Sequence, residues 1–194
     1  MSSVPASRSA AVWSLSHEVG VTVVAVSVIV ASTEIRTPIG LPGHRGLIWL
    51  ASLVAAALIT RRRESVLVVG GASTMLTQVL HIAPGVGSSG RYLAAAVLLY
   101  AASFVPVIGR RGWFIALVAA PIHLVALFSP TVAGLHHGHL VSPLTNDLSD
   151  KALFHVAFGL VAGLIGWGLA STVAQVTPIA SQRTNRRPGG AEKS

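Results

Sequence analysis

The sequence has no cysteine and few charged residues. Without cysteine the chain can form no disulfide and offers no thiolate to a metal or to covalent catalysis. Charged residues make up 10% of the chain and aromatic residues 6%, whereas hydrophobic residues reach 52% and the mean hydropathy is +0.70. Because an ordinary soluble domain has about 25% charged residues, this composition predicts an integral membrane protein.

Six apolar segments follow one another between charged or Pro- and Gly-rich breaks. They cover residues 18–33, 46–60, 65–83, 92–108, 112–129 and 152–174. The segments lack the alternation of barrel strands, and an open sheet edge is unstable in lipid, so each is predicted to be a helix. Some are shorter than the ~20 residues that span a bilayer, so tilt or local thinning would make up the length. The predicted fold is all-α: a polytopic bundle of six transmembrane helices over 18–174, between a cytoplasmic tail (1–17) and a basic, disordered cytoplasmic tail (175–194).

The distribution of basic residues predicts the topology. With six spans, the side of both termini holds ten of the fourteen Lys and Arg residues, namely Arg8, Arg61, Arg62, Arg63, Arg110, Arg111, Arg183, Arg186, Arg187 and Lys193. The other side holds Arg36, Arg45, Arg91 and Lys151. The positive-inside rule therefore places both termini in the cytoplasm and the protein in the inner (plasma) membrane. Nucleic-acid binding is not expected, because the basic clusters are short, lie at span ends and lack interleaved aromatics.

Polar residues form one face of the third predicted span. Ser73, Thr77 and His81 recur every four residues, and Thr74 and Gln78 form the adjacent row. This face should turn toward other helices or a wet cavity, because unpaired polar groups are costly in lipid. Ionisable residues inside spans are candidates for function. The alternative is that such groups bond neighbouring backbone and only pack helices together.

Histidines also occur in the fifth and sixth spans. His123 lies two residues after Pro121, which should loosen the backbone beside it. One stripe of the last span consists of His155, Gly159, Gly163 and Gly166. The glycines predict close packing with a neighbouring helix. The topology puts Gln78, His81 and His155 in the outer half of the membrane and His123 near its middle.

The first outer loop contains the stretch TPIGLPGHRG, residues 37–46. Its prolines stop a helix and its glycines permit a tight turn over the bundle, with His44 and Arg45 at the mouth of the second span. Arg36, Arg45 and Arg91 would form a positive outer rim suited to a carboxylate or phosphate. The alternative is a passive turn whose arginine extends to the lipid head groups.

The other outer loops are 84–91 and 130–151. The first is rich in glycine but has no preceding strand and no following GK[ST], so we expect a flexible cap and not a phosphate cradle. The second is long enough to suggest function and contains His136, His137, His139 and, before the last span, Asn146. Its LHHGH motif matches no HExxH pattern, so a metal site is not expected there.

The predicted features are six spans in about 190 residues, both termini inside, a basic hinge after the second span, a polar outer half and Gly-rich outer loops. Together they resemble the substrate-binding S component of an energy-coupling factor (ECF) vitamin transporter. The resemblance implies a ligand near the extracellular surface, between the later helices and under the first, third and fifth loops. The expected substrate-binding residues are Arg36, His44, Arg45, Gln78, His81, Arg91, His123, Asn146 and His155. It implies no catalytic residue, metal or cofactor.

The resemblance also implies partners: a transmembrane coupling subunit, ATPase subunits and the lipid bilayer. Members meet the coupling subunit through small residues on the first helix, which Ser27 and Ala31 match here in spacing. A metal-specific subtype needs an N-terminal Met-His arrangement, and because this chain starts MSSV, metal transport is disfavoured. The chain has no GxxxxGK[ST] loop, so ATP hydrolysis is expected to need the separate subunits.

A different class of function remains open on the histidines. His81, His123 and His155 could ligate haem b or a divalent metal between helices, as in a membrane redox protein or metal-dependent enzyme. The lack of a CxxCH motif and the unequal depths of the three residues count against it. A structural or assembly subunit is the third alternative.

Overall fold

Every secondary-structure element is a helix in the part of the chain that the computed structural model describes, which comprises residues 6–34, 46–80, 86–105, 113–126 and 146–185. The helices are α1 (Ala6–Glu34), α2 (Gly46–Ile59), α3 (Ser65–Val79), α4 (Val86–Ala102), α5 (Phe114–Ile122) and α6 (Asn146–Asn185). The predicted all-α fold class is therefore confirmed for these ranges.

The helices differ strongly in length. Within the described ranges, two stretches are long and apolar enough to cross a bilayer, Leu15–Glu34 in α1 and Ser149–Val176 in α6. Helices α2, α3 and α4 have 14, 15 and 17 residues, and α5 has 9. At about 1.5 Å per residue, these four are shorter than the ~30 Å hydrocarbon core of a bilayer. The structure thus supports two helices of spanning length and does not confirm six.

Both long helices extend past their predicted spans. Helix α1 begins at Ala6 and α6 continues to Asn185, so residues 6–17 and 175–185 of the two predicted tails are helical. Once a helix is nucleated, each added residue gains one backbone hydrogen bond, which allows such extensions beyond the apolar stretch.

Two other helix boundaries depart from the predicted ones. Helix α5 ends at Ile122, one residue after Pro121, which has no N–H and so donates no hydrogen bond to the preceding turn. The N–H of Leu124 instead donates to the Pro121 carbonyl at 3.1 Å, which tightens the chain. The predicted flexible cap over 84–91 is wrong from Val86 onward, since this segment forms the first turns of α4.

Glycines set the packing of α6 against α2 and α5. A Cβ atom added at Gly163 would lie 2.5 Å from the carbonyl oxygen of Ala116 in α5, and one at Gly166 would lie 2.7 Å from that of Ala51 in α2. Only a residue without a side chain permits such an approach of two backbones. The predicted close packing along the glycine stripe is confirmed.

The polar face of α3 turns inward over most of its length. Ser73, Thr74 and Thr77 are buried. The Thr74 hydroxyl donates to the Gly70 carbonyl at 2.8 Å and the Thr77 hydroxyl to the Ser73 carbonyl at 2.7 Å. These bonds within the helix agree with the packing interpretation. Gln78, in contrast, is exposed.

An ion pair joins α1 to the connection between α2 and α3. Arg62 Nε lies 3.4 Å from Glu18 Oε2, and the Glu18 side chain is only 10% exposed. The buried carboxylate is thus neutralised by the middle residue of the arginine triplet. This contact fixes the beginning of the predicted first span beside the connection that carries the arginine triplet.

Candidate functional site

Four aromatic and imidazole rings from four helices meet at one end of the bundle. The rings of His123, just after α5, and His155 of α6 are stacked with centroids 5.1 Å apart. Trp49 of α2 lies 5.6 Å from His123 and 5.5 Å from Tyr92 of α4, with its edge toward Tyr92. We refer to Trp49, Tyr92, His123 and His155 as the ring cluster. All four are at least nine-tenths buried.

Glycine at two neighbouring positions makes room for His123. A side chain at Gly46, the first residue of α2, would collide with the His123 ring. At Gly159 of α6 an added Cβ would lie 2.8 Å from the Cβ of His123. Because the chain turns directly after Pro121, the imidazole projects between these two helices. The local sequence of three helices therefore places this one side chain.

Arg91 lies against the ring cluster at the start of α4. Its guanidinium donates a hydrogen bond to the Tyr92 hydroxyl at 3.0 Å and its central carbon lies 5.0 Å from the Tyr92 ring centroid. Among the described residues, the buried Nε of Arg91 has no hydrogen-bond acceptor. A guanidinium held on an aromatic ring, with a donor still to satisfy, is suited to a carboxylate or phosphate.

The hydrogen bonding of His155 fixes which of its nitrogens carries a proton. Nδ1 lies 2.8 Å from the carbonyl oxygen of Lys151. A carbonyl can only accept, so Nδ1–H is the donor. In the neutral ring, Nε2 is then the acceptor, able to bind a ligand hydroxyl or amide.

The structure brings together three of the nine predicted site residues: Arg91, His123 and His155. Gln78 is exposed near the end of α3 and does not belong to the ring cluster. Asn146 is the first residue of α6, and its side chain is not described. Arg36, His44, Arg45 and His81 lie outside the described residues, as do His136, His137 and His139.

Trp49 and Tyr92 are the site residues that sequence reasoning missed. The sequence contains a signal for both residues. Tyr92 is next to Arg91, and Trp49 lies in the stretch that follows His44. Aromatic residues at span ends, however, are also typical of the membrane interface. Only the contacts of the folded chain distinguish an aromatic residue of the ring cluster from one at the membrane interface.

The histidine geometry bears on the haem and metal alternative. His123 and His155 present their ring faces to each other, with an interplanar angle of 27°. Axial haem ligands instead point a ring nitrogen at the iron from opposite sides. Within the described ranges no group of three or more His, Cys, Asp or Glu side chains is placed to hold a metal ion. The stacked pair therefore resembles a packing and hydrogen-bonding unit more than a ligand set.

The groups of the cluster define the chemistry it can perform. The ring cluster offers an aromatic surface and an imidazole acceptor, and Arg91 beside it offers a guanidinium donor; together these groups are suited to a small solute with a ring and an anionic group. Such a set binds and orients a ligand, and its buried rings keep water away from the polar contacts. No family model, curated protein or solved structure matches this chain.

Proposed function

We propose that the chain is the membrane-embedded substrate-binding subunit of an ECF-type importer, and that it captures a small vitamin-like solute near the extracellular face. The observation that carries the proposal is the meeting of Arg91, His123 and His155 with two further aromatic rings at one end of the bundle. Transport would require a coupling subunit and ATPase subunits as partners. Carboxylates and phosphates are the ligand groups that Arg91 would recognise.

The exposed surface of the two long helices supports a membrane location. Only 22% and 28% of the two candidate spans is buried, whereas a core helix of a soluble protein would be mostly covered. Large apolar side chains such as Val24 and Leu153 are 63% and 68% exposed. Such surfaces are unfavourable in water and suited to lipid. The shorter helices α2 to α5 would lie in the same bundle, helped by tilt and local thinning.

Ser27 and Ala31 support the proposed contact with a coupling subunit. Both are exposed on α1, so the small-residue surface is available to another helix. Small side chains allow two helices in a membrane to approach closely.

The proposed topology has both termini inside and the ring cluster toward the outside. The Glu18–Arg62 ion pair supports it, since the N-terminal part of α1 and the basic hinge then share one end. The chain has no native cysteine, so Arg63→Cys and Gly138→Cys each introduce a single reactive site. In whole cells, a membrane-impermeant maleimide should label only Gly138→Cys. Labelling of Arg63→Cys alone would mean that the protein has the opposite orientation, with the ring cluster at the cytoplasmic face.

The role of Arg91 can be tested on the solute that copurifies with the protein, identified by mass spectrometry. Arg91→Ala should weaken its retention by about 10- to 100-fold, the value of a lost charge-assisted hydrogen bond. Arg91→Lys should recover only part, since lysine keeps the charge and loses the planar fork.

Arg63→Ala is the matched control for Arg91. Arg63 lies over Phe104 with the same 5.0 Å spacing as Arg91 over Tyr92, so both variants lose one arginine stacked on an aromatic ring. Solute retention should be unchanged in Arg63→Ala. Equal retention by the Arg91→Ala and Arg63→Ala variants would contradict the proposed site. A Soret band in the purified protein would favour the haem alternative.

A further inference from the structure

An apolar groove runs between α1, α2 and α6, away from the ring cluster. Its volume is about 520 Å³, and its walls include Gly20 and Val24 of α1, Ala55 and Ala56 of α2, and Leu169 and Val173 of α6. Almost all of this surface is hydrocarbon. The volume is within the roughly 300–1,000 Å³ of small-molecule sites.

The groove has the depth of one membrane leaflet. Along α1 it extends from His17 to Val28, a rise of about 17 Å at 1.5 Å per residue. The hydrocarbon core of a bilayer is about 30 Å thick, so one leaflet contributes about 15 Å. The groove therefore matches one acyl chain lying along α1.

Positive charge lies at one end of this groove. Ile59, the last residue of α2, lines it, and the exposed Arg61, Arg62 and Arg63 follow after Thr60. Arg62 pairs with Glu18 and Arg63 lies over Phe104. Considering the contacts among the described residues, Arg61 is thus the arginine of this triplet available for a lipid phosphate at the groove's inner end.

We propose that this groove binds one acyl chain of an anionic phospholipid of the inner leaflet, with the lipid phosphate at Arg61. The proposal rests on the membrane arrangement proposed above and is independent of the transport role. The lipid would cover the apolar walls between α1 and α6 and would hold the hinge after α2 through its head group.

Native mass spectrometry of the full-length protein in detergent tests the site, with phosphatidylglycerol and phosphatidylcholine of identical acyl chains as probes. The protein should retain phosphatidylglycerol about fivefold more tightly than phosphatidylcholine, the effect of about one arginine near a head group. Arg61→Gln should abolish that preference and still bind both lipids. Equal retention of the two lipids by the unmodified protein would overturn the proposal.

A second variant tests the groove itself. A Cβ at Gly20 meets no atom within 4 Å, so Gly20→Leu can fill the groove without disturbing the helices. Displacing about two buried methylene groups should lower retention of both lipids about tenfold. Gly71→Leu is the matched control, because Gly71 of α3 is equally open and lies outside the groove. Its lipid retention should equal that of the unmodified protein.

Two further results would overturn the lipid assignment. One is that the Gly20→Leu variant retains both lipids as tightly as the unmodified protein does. The other is that the unmodified protein is a dimer, and that Gly20→Leu dissociates it without changing lipid retention. A second copy of the chain would then occupy the groove. The copurified solute is detected in the same mass spectra, which distinguishes the lipid proposal from the transport proposal. If the protein retains the solute but does not prefer phosphatidylglycerol, the lipid site in the groove is wrong and the solute site at Arg91 is unaffected. Protein that stays dispersed without detergent would instead sink the membrane arrangement.

Discussion

Gly163→Val is expected to lower the free energy of unfolding by about 3 kcal/mol or more, the upper range for overpacking a well-packed site. The added Cβ would lie 2.5 Å from the Ala116 carbonyl oxygen and 2.6 Å from the Ala116 Cα. Both are backbone atoms, so no side-chain rotation relieves the contact. Helix α5 must move away from α6, and the turn that carries His123 must move with it.

Gly168→Val is the control for this effect. Gly168 lies in the same helix, and a Cβ there meets no atom within 4 Å. Both substitutions carry the same cost of placing a β-branched residue in a helix, so the difference between them isolates the contact with α5. Thermal unfolding of the two variants in one detergent should show a much lower midpoint for Gly163→Val. Equal midpoints would mean that α5 and α6 are not in contact at Gly163.

The packing of α6 could be predicted because it depends on a local repeat. His155, Gly159, Gly163 and Gly166 share one stripe by helical geometry alone, and small residues on a stripe predict a close neighbour. The identity of that neighbour could not be predicted. Gly163 meets α5 and Gly166 meets α2, and this division depends on how the two helices cross α6, which the sequence of α6 does not contain.

The polar face of α3 shows a different limit. Helical periodicity correctly groups Ser73, Thr74 and Thr77, which are buried. It also includes Gln78, which is exposed, as are the next two residues, Val79 and Leu80, at 69% and 53%. A pattern in one helix gives the direction of a face. It contains no information on how far the adjacent helices reach.

The ring cluster combines predictable and unpredictable parts. Arg91, His123 and His155 could be singled out because ionisable groups in or beside apolar spans are costly. The stacking of the two histidines could not, since it requires the turn that carries His123 and the two glycines that admit its ring. Trp49 carries no such cost in an apolar segment, so nothing local distinguishes it from a packing residue.

Trp49→Ala is expected to be the most damaging change at the ring cluster, lowering the free energy of unfolding by about 3–5 kcal/mol. The indole is 2% exposed and contacts both Tyr92 and His123, so its loss opens a cavity between α2, α4 and α5. His123 would lose its aromatic neighbour, and retention of the copurified solute should fall together with stability.

Trp49→Phe and Trp167→Ala separate the cluster from general effects of losing a tryptophan. Phenylalanine keeps an aromatic ring at position 49 and should recover most of the stability, since each ring pair is worth about 0.5–1.5 kcal/mol beyond its burial. Trp167 of α6 is 40% exposed, so its replacement by alanine should cost about 0.5 kcal/mol, as expected for a surface site. Thermal unfolding and solute retention, measured on the three variants together, show whether Trp49 stabilises the helix bundle, the solute site or both. If Trp49→Ala unfolds no earlier than Trp167→Ala, Trp49 does not join the helices. If it unfolds early while Trp49→Phe regains stability and solute alike, the ring at position 49 supports both the bundle and the site.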